Sequence, residues 1–253
     1  MELTGSSAVV TGAASGLGAA TAAALAGSGV SVVGLDLAAA WERVPAPPAG
    51  VTAATGDVTS PPDVQAAIDL AAATGPLRIA VNCAGIGTAA RILARSGIHD
   101  LDLFGRVVAV NLVGTFNVLR LAAAAMARTD PVGPDGQRGL IVNTASVAAF
   151  EGQVGQVAYA ASKGGVVGLT LPAARDLAQY GIRVVSIAPG IIDTPMLAGV
   201  TDEFRAALAA GVPHPSRLGR PDEYAQLVLA IAGLDYLNGE VIRLDGALRM
   251  PPR

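Results

Sequence analysis

The chain has 253 residues, of which 52% are apolar and 15% charged, and its formal net charge is −3. This length and apolar content are typical of one α/β domain with a large core and apolar surface left for subunit contacts. No basic stripe is present for a phosphate backbone, which argues against nucleic acid as the principal ligand. The N-terminus lacks an apolar signal core, and the apolar runs are rich in Ala and interrupted by Gly. We therefore expect a cytoplasmic protein without membrane contact.

Short β-branched runs alternate with longer runs rich in Ala and Leu. The alternation predicts seven strands, at residues 7–11, 31–35, 51–55, 79–82, 140–143, 183–188 and 240–243. It also predicts five helices, near 16–27, 61–73, 101–128, 157–179 and 221–233. Such alternation indicates βαβ units and a parallel sheet, and strands that are apolar throughout indicate that both faces are covered. We predict a single doubly wound α/β domain over residues 1–253, with a seven-stranded, mainly parallel sheet and helices on both faces.

The predicted helix at 101–128 is apolar almost all the way round. A helix without a polar face is normally buried, and we expect part of this burial to be against another subunit. The helix at 157–179 is rich in Gly and Ala, and the end around 241–250 is apolar. These surfaces predict a homo-oligomer, most simply a homotetramer.

A glycine-rich turn, Thr11-Gly-Ala-Ala-Ser-Gly-Leu-Gly18, joins the first predicted strand to the first helix. Glycines let the backbone approach a pyrophosphate, and the helix N-terminus supplies N–H donors and a positive field. With 31 glycines in the chain this spacing also arises by chance, so the neighbouring elements decide whether it indicates a nucleotide-binding turn or an ordinary strand–helix turn. Here a predicted strand precedes the turn, a predicted helix follows it, and the second strand ends in an acid, as in a nucleotide-binding βαβ unit. The motif predicts cofactor contacts at Gly12, Gly16 and Gly18.

Two acids follow the second and third strands. Asp36 is placed to accept both ribose hydroxyls of an adenosine and to repel a 2′-phosphate. Leu37 follows it where a phosphate site would favour Arg, so the predicted cofactor is NAD rather than NADP; a solvated loop acid is the alternative. Asp57 either accepts a hydrogen bond from adenine, with Val58 covering the ring, or is a turn residue. Both interpretations stay open.

The strongest chemical signal is the single lysine among sixteen arginines: Lys163 stands four residues after Tyr159. The Lys side chain ends in a compact ammonium that can shift the pKa of a neighbouring group, whereas the planar guanidinium of Arg stays protonated and is bulkier. On a helix these two positions share a face, so a phenol and an ammonium lie side by side as an acid/base pair. Ser146 follows the fifth strand, where its hydroxyl is either a partner for a substrate oxygen beside the phenol or a capping group.

Asparagine, cysteine and histidine supply further candidate site residues. Asn111 lies in an apolar helix, and a buried amide must be hydrogen-bonded; it makes either a structural bond or part of a water chain to Lys163. Cys83, the only cysteine, is expected to be a small buried residue packed beside the cofactor. His99 and His214 have no obvious partner, and no metal site is predicted.

Together these motifs resemble the short-chain dehydrogenase/reductase family over essentially the whole chain. The resemblance is carried by residues 11–18, Asn82-Cys-Ala-Gly85, Asn111, Ser146, Tyr159 with Lys163, Pro189-Gly190 and Asp193-Thr-Pro195. Segments 143–156, 215–219 and 237–246 are similar to the type II 3-hydroxyacyl-CoA dehydrogenases. That subfamily oxidises 3-hydroxyacyl-CoA with NAD, and some of its members oxidise hydroxysteroids.

The resemblance implies a Rossmann-type fold and a role for each matching residue. Tyr159 would be the catalytic acid/base, Ser146 the partner of the substrate carbonyl, and Lys163 the group that binds the nicotinamide ribose and lowers the pKa of the phenol. Asn111 would hold a proton-relay water. The remaining implied cofactor contacts are Ser15, Leu17, Asp36, Asp57, Val58, Cys83, Ile192 and Thr194, and the implied substrate contacts are Gln153 and Gln156.

The sequence also makes predictions about the substrate side of the site. Residues 190–219, rich in Gly and Pro with a helical pattern at 201–210, are expected to form a lid over the nicotinamide. The stretch 87–100 is shorter than in the relatives and lacks their lysines. Arg91 and Arg95 therefore remain as candidates for the CoA phosphates, unless they are solvated loop charges.

The expected activity is the NAD-dependent interconversion of 3-hydroxyacyl-CoA and 3-oxoacyl-CoA. One alternative is another NAD-dependent short-chain dehydrogenase, acting on a hydroxysteroid, a sugar or a simple alcohol. An oxoacyl-carrier-protein reductase and a non-catalytic nucleotide-binding scaffold are further alternatives. Asp36 argues against the NADPH-dependent reductases. The scaffold is considered because fold alone does not establish function, but such a protein would be expected to lose Tyr159 or Lys163, and this chain keeps both.

Overall fold

The computed structural model describes residues 3–95 and 97–252. The first half of the chain contains β1 (Ser7–Thr11), α1 (Gly16–Gly27), β2 (Ser31–Asp36), α2 (Ala38–Trp41), β3 (Val51–Thr55), α3 (Pro61–Ala72) and β4 (Leu77–Asn82). A two-stranded hairpin follows, made of β5 (Leu93–Ala94) and β6 (Gly97–Ile98), and then α4 (Leu101–Val108).

The second half begins with a π-helical turn, Ala109–Gly114, that leads into α5 (Thr115–Met126). It continues with β7 (Gly139–Thr144), α6 (Val157–Ala178), β8 (Ile182–Pro189), α7 (Asp202–Ala210), α8 (Pro221–Gly233) and β9 (Val241–Leu244). Short 3₁₀ turns at Val147–Ala149 and Pro195–Leu197 follow β7 and β8.

Seven strands form one sheet in the order β3-β2-β1-β4-β7-β8-β9, and every neighbouring pair is parallel. The prediction of a seven-stranded, mainly parallel sheet is confirmed. The chain runs from β1 outward to β3 and then returns to β4 on the other side of β1. Ligands of open α/β sheets bind at the carboxyl ends of the strands beside such a reversal.

Helices cover both faces of the sheet, as predicted. One face is covered by α1 and α8, which bury Leu25, Tyr224 and Ile231 against the strands. The other face is covered by α3, α5 and α6, with Ile68 and Met126 in its core. Strands β1, β4, β7 and β8 are buried along their whole length, which explains why most of their residues are apolar.

The helix predicted at 101–128 is a continuous helical run from Leu101 to Met126, but it is only half buried. Its inner side packs on α3, β4 and β7, while Val113 and Phe116 are each 52% exposed. By length and composition alone this run would also suffice to cross a membrane, a test that core helices pass as well. The single chain buries one side of the run, because the sheet contacts only that side. The expected burial of the other side against another subunit stays a prediction.

Candidate active site

A cleft of about 990 Å³ lies along the carboxyl ends of the strands, beside the reversal between β1 and β4. It extends from the glycine-rich turn, past the loop after β4, to the segments that follow β7 and β8. Most of the predicted site residues line it: Gly12, Ser15, Gly16, Leu17, Gly18, Asp36, Asp57, Val58, Cys83, Ser146, Gln156, Tyr159, Lys163, Ile192 and Thr194.

The glycine-rich turn is shaped by backbone that requires glycine. Gly12 and Gly16 have positive φ angles of 67° and 52°, which side chains disfavour. A Cβ at Gly18 would overlap the carbonyl oxygen of Gly12, so α1 starts in direct contact with the end of β1. Ser15 precedes the helix and makes no side-chain capping bond. The turn thus presents an uncapped helix N-terminus to the cleft, as an anion such as a pyrophosphate requires.

Asp36 ends β2 beside this turn. Its Oδ2 accepts a hydrogen bond from Ala14 N at 2.9 Å, and its Oδ1 accepts one from Leu37 N at 2.8 Å. These bonds fix the carboxylate at the rim of the cleft, where its neighbours Leu35, Leu37 and Ala40 in the lining are apolar. The arrangement offers an acceptor for ribose hydroxyls and no cation for a 2′-phosphate.

Asp57 forms the turn that was one of its two interpretations, and the contact with adenine stays a prediction. Its Oδ1 accepts hydrogen bonds from the N–H and the hydroxyl of Thr59, both at 2.8 Å, which is a turn. The residue nevertheless lines the cleft together with Val58. The π turn reaches the same point: a Cβ at Gly114 would lie 2.6 Å from Val58 Cγ2. The loop after β3 is therefore held by its own turn while one side of it faces the adenosine end of the cleft.

Tyr159 and Lys163 both project from α6 at the other end of the cleft. The Lys163 side chain is buried, and its Nζ donates to the carbonyl oxygen of Thr144 at 2.6 Å. Nζ lies 5.9 Å from the centre of the Tyr159 ring. The side chain of Ser146 is the polar neighbour that acts to lower the pKa of the Tyr159 phenol. Ser146 also caps the following 3₁₀ turn, since its Oγ accepts from Ala148 N at 3.1 Å.

Burial dominates the electrostatics of this pair. It raises the pKa of Tyr159 above its usual value, and the Ser146 side chain only partly opposes that rise. Burial lowers the pKa of Lys163 to about 8. In the protein alone the Lys163 ammonium is directed to the Thr144 carbonyl, and desolvation of the phenolate prevails. The expectation that Lys163 lowers the pKa of the phenol together with a bound nicotinamide stays a prediction.

Asn111 sits in the π turn and does not line the cleft. Its Oδ1 accepts from Ile86 N at 2.8 Å, and its Nδ2 donates to Ile86 O at 2.9 Å and to Ser162 Oγ at 3.0 Å. Ser162 Oγ in turn donates to the carbonyl of Tyr159 at 2.8 Å. The side chain therefore makes structural bonds between the loop after β4 and the catalytic helix. The relay water remains a prediction.

A polar cluster beneath Lys163 was not predicted. The Thr144 hydroxyl lies 2.5 Å from Asn82 O and 2.7 Å from the hydroxyl of Tyr224, a fully buried residue of α8. Cys83 Sγ lies 3.9 Å from the same hydroxyl, and burial raises the pKa of the thiol, so Cys83 is a neutral packing group. Tyr224 carries no sequence signal of this role, because it looks like any apolar position of an amphipathic helix.

The two glutamines differ in placement. Gln156 lines the cleft, whereas Gln153 does not, because its Nε2 donates to the carbonyl of Pro251 at 3.0 Å. Gln153 instead lines a second cavity of about 440 Å³, which shares Gln156 with the cleft and also contains Arg91. Arg95 lies at the turn of the β5–β6 hairpin and lines neither cavity.

The predicted lid crosses the carboxyl edge of the sheet. Its ends are joined by hydrogen bonds from Asp193 N to Gly219 O and from Gly219 N to Ile191 O. The helical pattern at 201–210 is present as α7, from which Arg205 pairs with Asp193. Met196 reaches the catalytic end of the cleft: a Cβ at Gly87 would lie 3.2 Å from Met196 Sδ and 3.9 Å from Tyr159 Cε2.

Among the lining residues that sequence analysis did not assign to the site are Arg106 of α4 and Met250 near the C-terminus. Within residues 3–95 and 97–252, no group of three or more His, Cys, Asp or Glu side chains is arranged to hold a metal ion.

Comparison with known proteins identifies the family. The family model described as short chain dehydrogenase matches residues 6–204. Two proteins named 3-hydroxyacyl-CoA dehydrogenase type-2, from Bos taurus and Homo sapiens, are each 56% identical over 250 residues, which cover 97% of this chain and 95% of theirs. The crystal structure of 3-hydroxyacyl-CoA dehydrogenase type-2 from Mycobacterium avium superposes with a TM-score of 0.90 at 44% identity, covering all of both chains. The chain belongs to the short-chain dehydrogenase family, and it is an oxidoreductase that uses a nicotinamide cofactor.

Proposed function

We propose that the protein interconverts 3-hydroxyacyl-CoA and 3-oxoacyl-CoA with NAD. The observation that carries this proposal is that Tyr159, Ser146 and Lys163 line one end of a cleft that begins at an uncapped helix N-terminus. The names of the relatives supply the substrate class, since both are 3-hydroxyacyl-CoA dehydrogenases type-2.

NAD is the proposed cofactor because of the acidic end of β2. Asp36 is held at the rim by two backbone donors and has apolar neighbours in the lining. A carboxylate there accepts ribose hydroxyls and repels a 2′-phosphate. The glycine-rich turn would hold the pyrophosphate, and Lys163 would bind the nicotinamide ribose. When bound, the oxidised nicotinamide supplies the hydride acceptor and a positive charge beside the phenol.

The proton is handled by Tyr159. In alcohol oxidation the phenolate accepts the hydroxyl proton of the substrate, and Ser146 donates a hydrogen bond to the oxygen as it becomes a carbonyl. Because burial raises the pKa of Tyr159, the phenolate depends on nearby positive charge. Lys163, 5.9 Å from the ring centre, contributes such a charge below its pKa of about 8. In ketone reduction Tyr159 donates the proton, and a general acid/base of this kind contributes about 10²- to 10⁴-fold to the rate.

An acyl-CoA is proposed from the lining of the substrate end. Met196, Leu197 and Met250 give it an apolar wall, which suits an acyl chain better than a sugar. The second cavity continues from Gln156 and contains Arg91, so Arg91 is the proposed contact of a CoA phosphate. Arg95, which lines neither cavity, is no longer proposed for that role.

A homotetramer is proposed from the exposed apolar surface. Val113 and Phe116 on the helical run, and Val157 and Leu171 on α6, are all more than a third exposed. The π turn that carries Val113 packs on α6, and exposed apolar surface on adjoining helices is typical of a subunit interface. Light scattering at micromolar concentration should show an oligomer, and a monomer would contradict the proposal. A cytoplasmic location stays a prediction.

Reduction of acetoacetyl-CoA with NADH tests the activity. NADH consumption should be rapid with the unmutated protein, much slower with NADPH, and about 10²- to 10⁴-fold slower for Tyr159→Phe. Activity on a hydroxysteroid or a simple alcohol with none on acetoacetyl-CoA would contradict the acyl-CoA assignment while leaving the family assignment intact.

A further inference from the structure

The C-terminal strap, defined here as residues 247–252, reaches back to the catalytic end of the cleft. Met250 is partly buried and is the strap residue that lines the cleft. It joins a wall to which Val147, Ala148 and Gln156 also belong, the segment between Ser146 and α6. A residue close to the end of the chain thus borders the space beside Tyr159.

Three hydrogen bonds attach the strap to the loop that precedes α6. Met250 N donates to Glu151 Oε2 at 3.3 Å, Gln153 Nε2 donates to Pro251 O at 3.0 Å, and Val154 N donates to Pro252 O at 3.0 Å. Because the N–H of Met250 and the two carbonyl groups that follow it are all bonded to this loop, the loop holds the backbone of Met250 in place.

An ion-pair cluster around Arg243 also attaches the strap to the end of the sheet and to the loop. Arg243 of β9 binds both carboxylate oxygens of Glu151, at 2.9 and 3.0 Å, and Asp245 at 2.7 Å. It also donates to Leu248 O at 3.0 Å. Bidentate Arg–carboxylate pairs are specific in geometry, and this one holds the pKa of Glu151 below its usual value. The cluster joins the end of the sheet, the loop and the strap into one unit.

Two segments that are distant in the chain therefore both contribute to the lining of the cleft. The lid contributes Met196, which lies beside Tyr159 across Gly87. The strap contributes Met250, held by the loop and the ion pairs. Methionine is flexible and packs well against irregular apolar surfaces, so a side chain at this position contacts an acyl chain along its length and limits how far the chain extends.

We propose that Met250 is a specificity-determining residue that sets the acyl chain length accepted by the enzyme. The proposal rests on the acyl-CoA activity proposed above. Ser146 and Tyr159 hold the reacting carbonyl, so the chain starts at a fixed point, and the space left before Met250 decides which lengths fit. Each methylene that gains or loses burial changes affinity by about fourfold.

The test is a chain-length profile of kcat/KM with NADH, from acetoacetyl-CoA to 3-oxopalmitoyl-CoA. Met250→Ala should shift the preference toward longer chains, raising the ratio of long-chain to acetoacetyl-CoA activity about 15-fold, equivalent to roughly two newly buried methylenes. Met250→Phe should move the profile toward shorter chains, and Met250→Leu should stay near the unmutated profile. Pro252→Ala is the matched control, because Pro252 is exposed and does not line the cleft.

Thermal unfolding and NADH binding establish that each variant is folded. If the Ala and Phe variants lose activity by the same factor at every chain length, the strap is merely structural and the proposal is overturned. An unchanged profile with intact acetoacetyl-CoA reduction overturns it equally and leaves the proposed function standing. If the unmutated protein reduces no acyl-CoA, the proposed function fails and this proposal falls with it.

Discussion

The two ends of the cleft are built in different ways. The cofactor end consists of short segments that directly follow β1, β2, β3 and β4, and its shape depends on backbone: positive φ at Gly12 and close approach at Gly18. The substrate end gathers Ser146, Tyr159 and Met250 from three separate segments, held together by side-chain hydrogen bonds and ion pairs.

This difference predicts different sensitivities. The cofactor end should tolerate side-chain changes except where a new Cβ meets backbone or where a charge selects the ribose. The substrate end should respond to the loss of a single polar atom, because its chemistry resides in individual side chains. Variants at both ends, taken from the largest expected effect to the smallest, test this contrast.

Tyr159→Phe removes one oxygen from the substrate end. Turnover should fall by about 10²- to 10⁴-fold, because the proton donor and acceptor is lost. NADH binding, followed by fluorescence titration, should change little, since Lys163 keeps its bond to the Thr144 carbonyl. Retention of most of the activity would refute the acid/base role.

Gly18→Ala adds one carbon to the cofactor end. The new Cβ would overlap the Gly12 carbonyl, so the free energy of unfolding should drop by about 3 kcal/mol and NADH affinity should weaken with it. Gly27→Ala is the matched control in the same helix, because its Cβ would have no neighbour within 4 Å; it should be neutral or stabilising by about 0.5–1 kcal/mol. Equal denaturant midpoints for the two variants would contradict the close-approach argument.

Asp36→Ala combined with Leu37→Arg should change the cofactor preference. Removing the carboxylate relieves repulsion of a 2′-phosphate, and an added Arg supplies a charge-assisted partner, so the NAD/NADP ratio of kcat/KM should fall by about 10- to 100-fold. The Tyr159-dependent chemistry should be unaffected at saturating cofactor. If the unmutated protein turned over both cofactors equally, the role of Asp36 would be wrong.

Lys163 allows a stability measurement that separates burial from chemistry. Its pKa is lowered from 10.5 to about 8 in the folded protein, so between these pH values the unfolded chain binds more protons. The free energy of unfolding of the unmutated protein should therefore rise, relative to Lys163→Met, as the pH increases from 8 to 10.5. Denaturant unfolding over this range measures the difference, and a difference that falls with pH would show that the ammonium is stabilised rather than desolvated.

Much of the fold was predictable because its signals are local. All seven strands of the main sheet and the five predicted helices are present, since apolar runs bounded by Gly, Pro and polar residues need no knowledge of distant segments. The β5–β6 hairpin and α2 were missed, because two-residue strands and a four-residue helix carry no periodicity. The π turn that contains Asn111 was missed for a different reason. The side chain of Asn111 is hydrogen-bonded to Ile86 and Ser162, which lie outside the helix and which no local pattern relates to it.

The sequence by itself determined the residues of the chemistry: the glycine-rich turn, Asp36, Ser146 and the Tyr159–Lys163 pair, whose spacing relative to strands and helices is enough to bring them to one edge. Only the tertiary structure decided how those residues are used. It directs Gln153 to the Pro251 carbonyl, places Tyr224 beneath Lys163, brings Met250 to the substrate wall and raises the pKa of Tyr159 by burial. These outcomes depend on distances and desolvation between segments far apart in the chain, and no local pattern encodes them.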